Sequence, residues 1–255
     1  MTTTRPNGSL YSKIENRIAT IEFGHPASNS FPGELLQRLT DEIDTIGSNP
    51  EVNIIILRSE GEGAFCAGAS FDELLAVNSL EHGAVFFSGF ANVINAMRRC
   101  PKLIIGRIHG KAVGGGVGLA AACDYALATE GSAIKLSEFT IGIGPFVIAP
   151  AVERKMGTAA LAELTLAAHE WKNAYWAQEK GLYAKVLENV HDLDKELDIL
   201  TSKLAAYNPD ALTAMKKVLW EGTENWDALL AERAKISGTL VLSDFTKKAL
   251  SQFRK

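Results

Sequence analysis

Apolar and polar positions along the chain change period several times, and each change marks an element. Between residues 10 and 23 they roughly alternate, with Glu15-Asn16 between two halves, which predicts a β-hairpin. A loop follows at His25-Pro26-Ala27-Ser28-Asn29-Ser30. Beyond it Leu35, Leu36, Leu39, Ile43 and Ile46 recur at helical spacing, with Ser30 as the expected N-cap, Pro32 early in the helix and Gly47 at its end. Residues 52–57 are almost continuously apolar, as expected of a strand covered on both faces by helices. Residues 61–70 read as a glycine-containing loop, and 71–76 and 81–99 as helices, the second stopped by Cys100-Pro101. A buried strand over 103–108 then leads to His109-Gly110-Lys111-Ala112-Val113-Gly114-Gly115-Gly116-Val117-Gly118 and a small, apolar helix.

Further strands are expected over 124–128 and 133–136, with Ser137-Glu138 at a turn, and Gly142, Gly144 and Pro145 keeping the next segment irregular. Helices follow over 149–167, interrupted near Gly157, and over 173–180, with a last strand over 183–187. From Asp192 the pattern is only helical, over 192–207, 209–220, 225–237 and 243–253. The chain therefore divides by kind, into an α/β part over 1–190 and a helical region over 191–255. The apolar faces of that region, among them Leu197, Leu200 and Leu204, require a partner, either the core or another subunit.

Composition narrows the function classes. The 255 residues are 47% hydrophobic and 22% charged, the make-up of a globular protein with a sizeable core. A net charge of −4 without a basic stripe argues against nucleic acid as a partner. No apolar run approaches a membrane span and no signal-peptide pattern opens the chain, so a cytoplasmic location is the expectation. The three cysteines, Cys66, Cys100 and Cys123, lie among apolar or small residues and are expected as buried thiols. No histidines have paired ligand spacing, so no metal site is expected. The four tryptophans, Trp171, Trp176, Trp220 and Trp226, are expected to pack helices.

The triple glycine at a strand-to-helix junction admits three readings. Gly116-Val117-Gly118 with Ala121 fits a loose dinucleotide fingerprint, a glycine N–H suits an oxyanion hole, and tight packing alone also calls for glycine. Two further motifs bear on the choice: Gly63-Ala64-Phe65-Cys66-Ala67-Gly68-Ala69-Ser70-Phe71 before the junction, and Leu136-Ser137-Glu138 with Ile141-Gly142-Ile143-Gly144-Pro145 after it. In this order the three resemble the crotonase family, the enoyl-CoA hydratases and isomerases. The resemblance extends to the Pro26–Asn29 loop, to Ala174, Ala177 and Gly181-Leu182, and to a closing helix with Phe253.

The resemblance implies a crotonase-like ββα spiral core with the C-terminal helices serving oligomerisation, as a homotrimer or a hexamer of paired trimers. It implies an oxyanion hole from the N–H groups of Ala69 and Gly115, and places Ala67, Ser70 and Phe71 against an acyl-CoA substrate. Coenzyme A belongs to that substrate, and no separate cofactor is implied. Glu138, the only acidic residue in these motifs, becomes the catalytic acid/base; among apolar neighbours its carboxyl is expected to titrate high. The second glutamate of family hydratases falls at Gly118 in this chain. A single carboxylate suits the shift of a 3-enoyl-CoA to a 2-enoyl-CoA, and Gly142-Ile143-Gly144-Pro145-Phe146 looks like the corresponding segment of single-glutamate isomerases. Hydration with Asp72 or Glu73 standing in for the absent acid, a non-catalytic acyl-CoA-binding protein, and a nicotinamide oxidoreductase are the alternatives. His109 is expected to make a structural hydrogen bond.

Overall fold

In the computed structural model, which describes residues 7–252, the opening hairpin pairs β1 (Ser9–Glu15) with β2 (Ile18–Gly24). Its turn is Asn16-Arg17, one residue later than the alternation suggested, with both residues at positive φ. Such a conformation suits asparagine and strains arginine. Tertiary bonds hold it, because the Arg17 carbonyl accepts from the Asn53 and Ile54 N–H groups and the Arg17 guanidinium donates to Asn53 Oδ1 at 3.2 Å.

From β2 onward the main sheet is parallel. It runs β1-β2-β3-β4-β6-β8, with β3 at Ile54–Ser59, β4 at Leu103–Ile108, β6 at Tyr125–Thr129 and β8 at Lys185–Leu187. A two-stranded parallel sheet of β5 (Ala112–Val113) and β7 (Ile134–Lys135) lies apart from it. Alternation along β3 sends Ile55 and Leu57 into one core and Ile54 and Ile56 into another, so both faces are dry, as the unbroken apolar run required.

The first face is covered by α1 (Gly33–Gly47), α3 (Leu80–Arg99) and α4 (Gly115–Ala122) through Leu35, Leu39, Val93, Ile94, Met97 and Leu119. The second is covered by α7 (Val190–Ala205) and α8 (Pro209–Leu219) through Leu193, Leu197 and Leu212. Of the two partners open to Leu197, Leu200 and Leu204, these residues meet the core. All three pack against the sheet of their own chain, where Ile54, Ile56, Leu103, Ile105 and Leu127 would otherwise face water.

The remaining helices are α2 (Phe71–Ala76), α5 (Ala149–Leu166, broken at Gly157 as expected), α6 (Ala174–Glu179), α9 (Trp226–Leu240) and α10 (Asp244–Ser251). No described helix is long and apolar enough to cross a membrane, and Phe253 lies outside the described residues. Ser30 does not cap α1. Pro32 occupies the cap position, and the Gly33 N–H is satisfied from another helix by Glu73 Oε2 at 2.8 Å. That places a carboxylate at a helix N-terminus, where the dipole favours it. The three cysteines are buried and free, and burial pushes the Cys66 and Cys123 thiols up to about 12.

One buried ion pair ties the last helices to the sheet. Asp124, at the start of β6, accepts from Lys216 Nζ, Trp220 Nε1 and the Ile104 N–H, each at 2.7 Å. Trp220 packs edge-on against Trp226, which accounts for two of the four tryptophans, whereas Trp171 is exposed beneath Lys111 and Lys135. Removing one partner of a buried pair strands the other charge. Asp124→Ala is expected to cost about 3–5 kcal/mol in urea denaturation, and a loss below about 1 kcal/mol would show that Lys216 finds water when the carboxylate is gone.

Candidate active site

Over residues 66–70, just before α2, hydrogen-bond accounting leaves one amide. The Ala67 N–H donates to the Ser28 carbonyl, the Gly68 N–H to Cys66 Sγ and the Ser70 N–H to the Phe31 carbonyl. The N–H of Ala69 has no partner among the described residues. The same holds across the gap. The Gly114 N–H donates to the Lys135 carbonyl, whereas those of Gly115 and Gly116, in the first turn of α4, have no partner among the described residues, as is usual at a helix N-terminus. A helix N-terminus facing a partnerless amide on another segment forms a ready site for one oxygen carrying negative charge.

Glycine makes that approach possible. At Gly68, φ is +90°, and a Cβ there would stand 3.1 Å from the Val113 carbonyl oxygen and 3.5 Å from the Gly115 nitrogen. A Cβ on Gly115 would lie within 2.3 Å of the Phe90 ring, and one on Gly116 within 2.4 Å of the Cys66 carbonyl oxygen. Gly114 has φ +52°, and its missing Cβ leaves room for Glu138, whose Oε1 would be only 2.8 Å away.

Glu138 opens a 3-10 turn, Glu138–Ile141, closed by Gly142 in the left-handed conformation. The residue is half-buried, but its Oε2 is sealed from solvent and has no partner among the described residues. Burial pushes the carboxyl up to about 7, its own backbone N–H pulling weakly the other way. It therefore holds or releases a proton near neutral pH.

These groups line one cavity of about 380 Å³, with Ala67, Gly68, Ala69 and Phe71 on one side and Gly114, Gly115 and Glu138 on another. The structure thus brings together Glu138, Ala69, Gly115, Ala67 and Phe71 of the residues expected from sequence. Ser70 is not among them: it is the N-cap of α2, accepting from the Glu73 N–H, and lies outside the cavity lining. Asp72 and Glu73 are outside it too, Glu73 being engaged at the start of α1, so Glu138 is the one carboxylate on this wall among the described residues. His109 is remote from the lining and contacts Arg107 Nη1 through Nδ1 at 3.1 Å. Burial, and then the Arg107 charge, hold its imidazole down to about 4, so it stays neutral.

Sequence reasoning missed Phe86, Phe87 and Phe90 of α3, Ile148, and Ser237 of α9, all in the lining. The three phenylalanines carry only a helical apolar signal, the same as any core residue. Ile148 gives Gly118 its meaning. A Cβ at Gly118 would meet Ile148 Cγ2 at 2.5 Å, so isoleucine fills the direction in which a side chain at 118 would grow.

A sequence model described as Enoyl-CoA hydratase/isomerase matches residues 13–253. A Bacillus subtilis (strain 168) protein named "Probable enoyl-CoA hydratase" is 26% identical over 242 residues, covering 94% of this chain and 93% of that one. The mitochondrial methylglutaconyl-CoA hydratase of Rattus norvegicus is 34% identical over 201 residues, 77% of this chain and 63% of its own length. In three dimensions, the enoyl-CoA hydratase from Bacillus halodurans superposes with a TM-score of 0.88 at 22% identity, over 95% of this chain and 99% of that one, a likeness of fold. With a family model spanning nearly all of it, the chain belongs to the enoyl-CoA hydratase/isomerase family.

Proposed function

We propose that this member of the family shifts the double bond of a 3-enoyl-CoA thioester to the 2-position, with Glu138 as its only proton carrier. The observation that carries the proposal is the single carboxylate in a cavity that also holds two unpaired N–H groups. The thioester oxygen sits between the Ala69 and Gly115 N–H groups. Ionised Glu138 takes a proton from C2, the electron pair moves into the carbonyl, and the resulting dienolate oxygen is held by the two donors. Glu138, now protonated, returns that proton to C4, so the double bond has moved and nothing else is consumed. Preorganised donors in a dry site contribute several kcal/mol to such a step.

Hydration is the second reading, favoured by the hydratase names of the relatives from B. subtilis and rat. A two-carboxylate hydration needs a further acid, and Ile148 closes the approach to it from position 118. A dinucleotide at the α4 N-terminus has less support, since its phosphate would meet the Glu138 carboxylate across Gly114.

Glu138→Gln lowers 3-hexenoyl-CoA isomerisation by roughly 10²-fold or more, and wild-type kcat/KM rises with pH to half its plateau near 7, where the carboxyl ionises. A pH-independent rate from 5 to 9 would remove Glu138 from the chemistry.

The same substitution changes stability with a definite sign. The folded carboxyl binds its proton up to about 7 and the unfolded one only to about 4.5, so wild-type stability falls as pH rises through that window. Glu138→Gln is therefore expected to be the more stable protein above neutrality, by about 1–3 kcal/mol, with the gain vanishing below pH ~4.5. Chemical denaturation at pH 5 and 8 measures it.

Wild type given 3-hexenoyl-CoA and crotonyl-CoA is expected to isomerise the first and leave the second unhydrated; brisk hydration would overturn the single-base reading. Gly118→Glu alone is expected to lose about 1–3 kcal/mol to overpacking against Ile148 and to gain no hydration. Paired with Ile148→Gly it is expected to hydrate crotonyl-CoA measurably, seen as loss of enoyl-thioester absorbance.

A further inference from the structure

Hydroxyls inside helices of this chain regularly turn back on the backbone. Thr40, Thr45, Ser88, Thr165, Thr201 and Thr239 each donate to the carbonyl four residues earlier, at 2.7–3.0 Å. Ser237 of α9 does not. Its residue is 1% exposed, its Oγ is sealed from solvent, and it has no partner among the described residues. A buried hydroxyl left unpaired is costly, and the ordinary remedy, the carbonyl four residues back, is not taken.

Ser237 lines the same cavity as Glu138 and the two free amides. It is brought there by the crossing of α9 on α3, where Gly83 and Gly238 meet backbone to backbone: a Cβ on Gly83 would lie 2.8 Å from the Gly238 Cα. The rest of the lining near α3 is aromatic or aliphatic, and no lysine, arginine or histidine contributes to the cavity among the described residues.

We infer that Ser237 is a hydrogen-bonding subsite for a neutral polar group, a hydroxyl or carbonyl oxygen, carried on the acyl chain of the substrate. The inference rests on the acyl-CoA reading of the cavity and deepens it. Oxyanion donors and Glu138 take the thioester and its neighbouring carbons; of the other hydroxyls on the wall, Ser137 adjoins Glu138 and Thr140 Oγ1 is spent on the Ser137 carbonyl at 2.6 Å, so the Ser237 hydroxyl is matched by an oxygen elsewhere on the acyl group. An acyl group ending in a second carboxylate is disfavoured, because the wall offers that charge no cation and already holds Glu138.

The test uses saturated thioesters, which wild-type enzyme binds without turnover: hexanoyl-CoA, 4-oxohexanoyl-CoA, 5-oxohexanoyl-CoA and glutaryl-CoA, titrated calorimetrically. At least one oxo thioester is expected to bind ~10-fold or more tightly than hexanoyl-CoA, with glutaryl-CoA the weakest. Ser237→Ala is expected to bring that preference to within ~2-fold and, because it deletes an unpaired buried hydroxyl, to raise the melting temperature. The inference is overturned if hexanoyl-CoA binds as well as both oxo thioesters, if Ser237→Ala keeps the preference, or if it lowers both affinities equally together with the melting temperature, the sign of a purely structural hydroxyl. Tightest binding by glutaryl-CoA overturns the neutral chemistry. Failure of every thioester to bind, hexanoyl-CoA included, strikes the acyl-CoA reading itself, a different result from loss of discrimination alone.

Discussion

Two backbone segments, 66–70 and 112–116, approach so closely that no side chain fits between them, and the site depends on that approach. Cys66 bridges them, taking the Lys111 carbonyl with its N–H and giving its own carbonyl to the Val113 N–H. Each segment is also pinned from outside, one by Phe31 and Ser28 and the other by Lys135. Most neighbouring amides are spent in this lacing, which leaves Ala69 and the first turn of α4, Gly115 and Gly116, without partners among the described residues.

The same closeness decides where the carboxylate can be. Glu138 Oε1 occupies the space that a Cβ on Gly114 would need, and the two-stranded sheet of β5 and β7 leads into the 3-10 turn that carries it there. Desolvation then follows from the walls, and it sets the proton affinity without a second charged group. A carboxylate partnered by arginine here would be a poor base, held ionised well below neutrality.

Legibility in the sequence varied with the kind of signal. Strands and helices with strong periods, such as β3, β4 and α3, fell close to where the pattern put them, and Glu138, Ala69 and Gly115, singled out because three short motifs in one order resemble a family, line one cavity. The hairpin turn shifted by one residue because Asn53 holds Arg17 in place, a partner 36 residues away that no local rule contains. The partner of Leu197 was left open for a similar reason. Periodicity reports that a face is apolar, but whether it covers a sheet of its own chain or meets another subunit depends on how much sheet is left bare, and that is a property of the whole topology. Ser70 shows the limit of motif transfer: it belongs to the motif by position, yet its hydroxyl is needed at the N-terminus of α2.

Ile148 and Ser237 were illegible for the deepest reason, since each acts on the site from an element with no motif of its own. Ile148 belongs to the start of α5 and turns a glycine 30 residues earlier from a vacant position into an occupied one. Ser237 depends on two glycines, one on each of two helices, that let α9 come near enough to α3 to place the residue in the cavity lining. Sealed oxygens on Glu138 and Ser237 and unpaired amides on Ala69 and Gly115 thus share one space of about 380 Å³. An oxygen sealed from water without a partner costs folding free energy. In the reading proposed for this cavity, a ligand with a carbonyl oxygen, an acidic carbon and one further polar atom satisfies all four groups together.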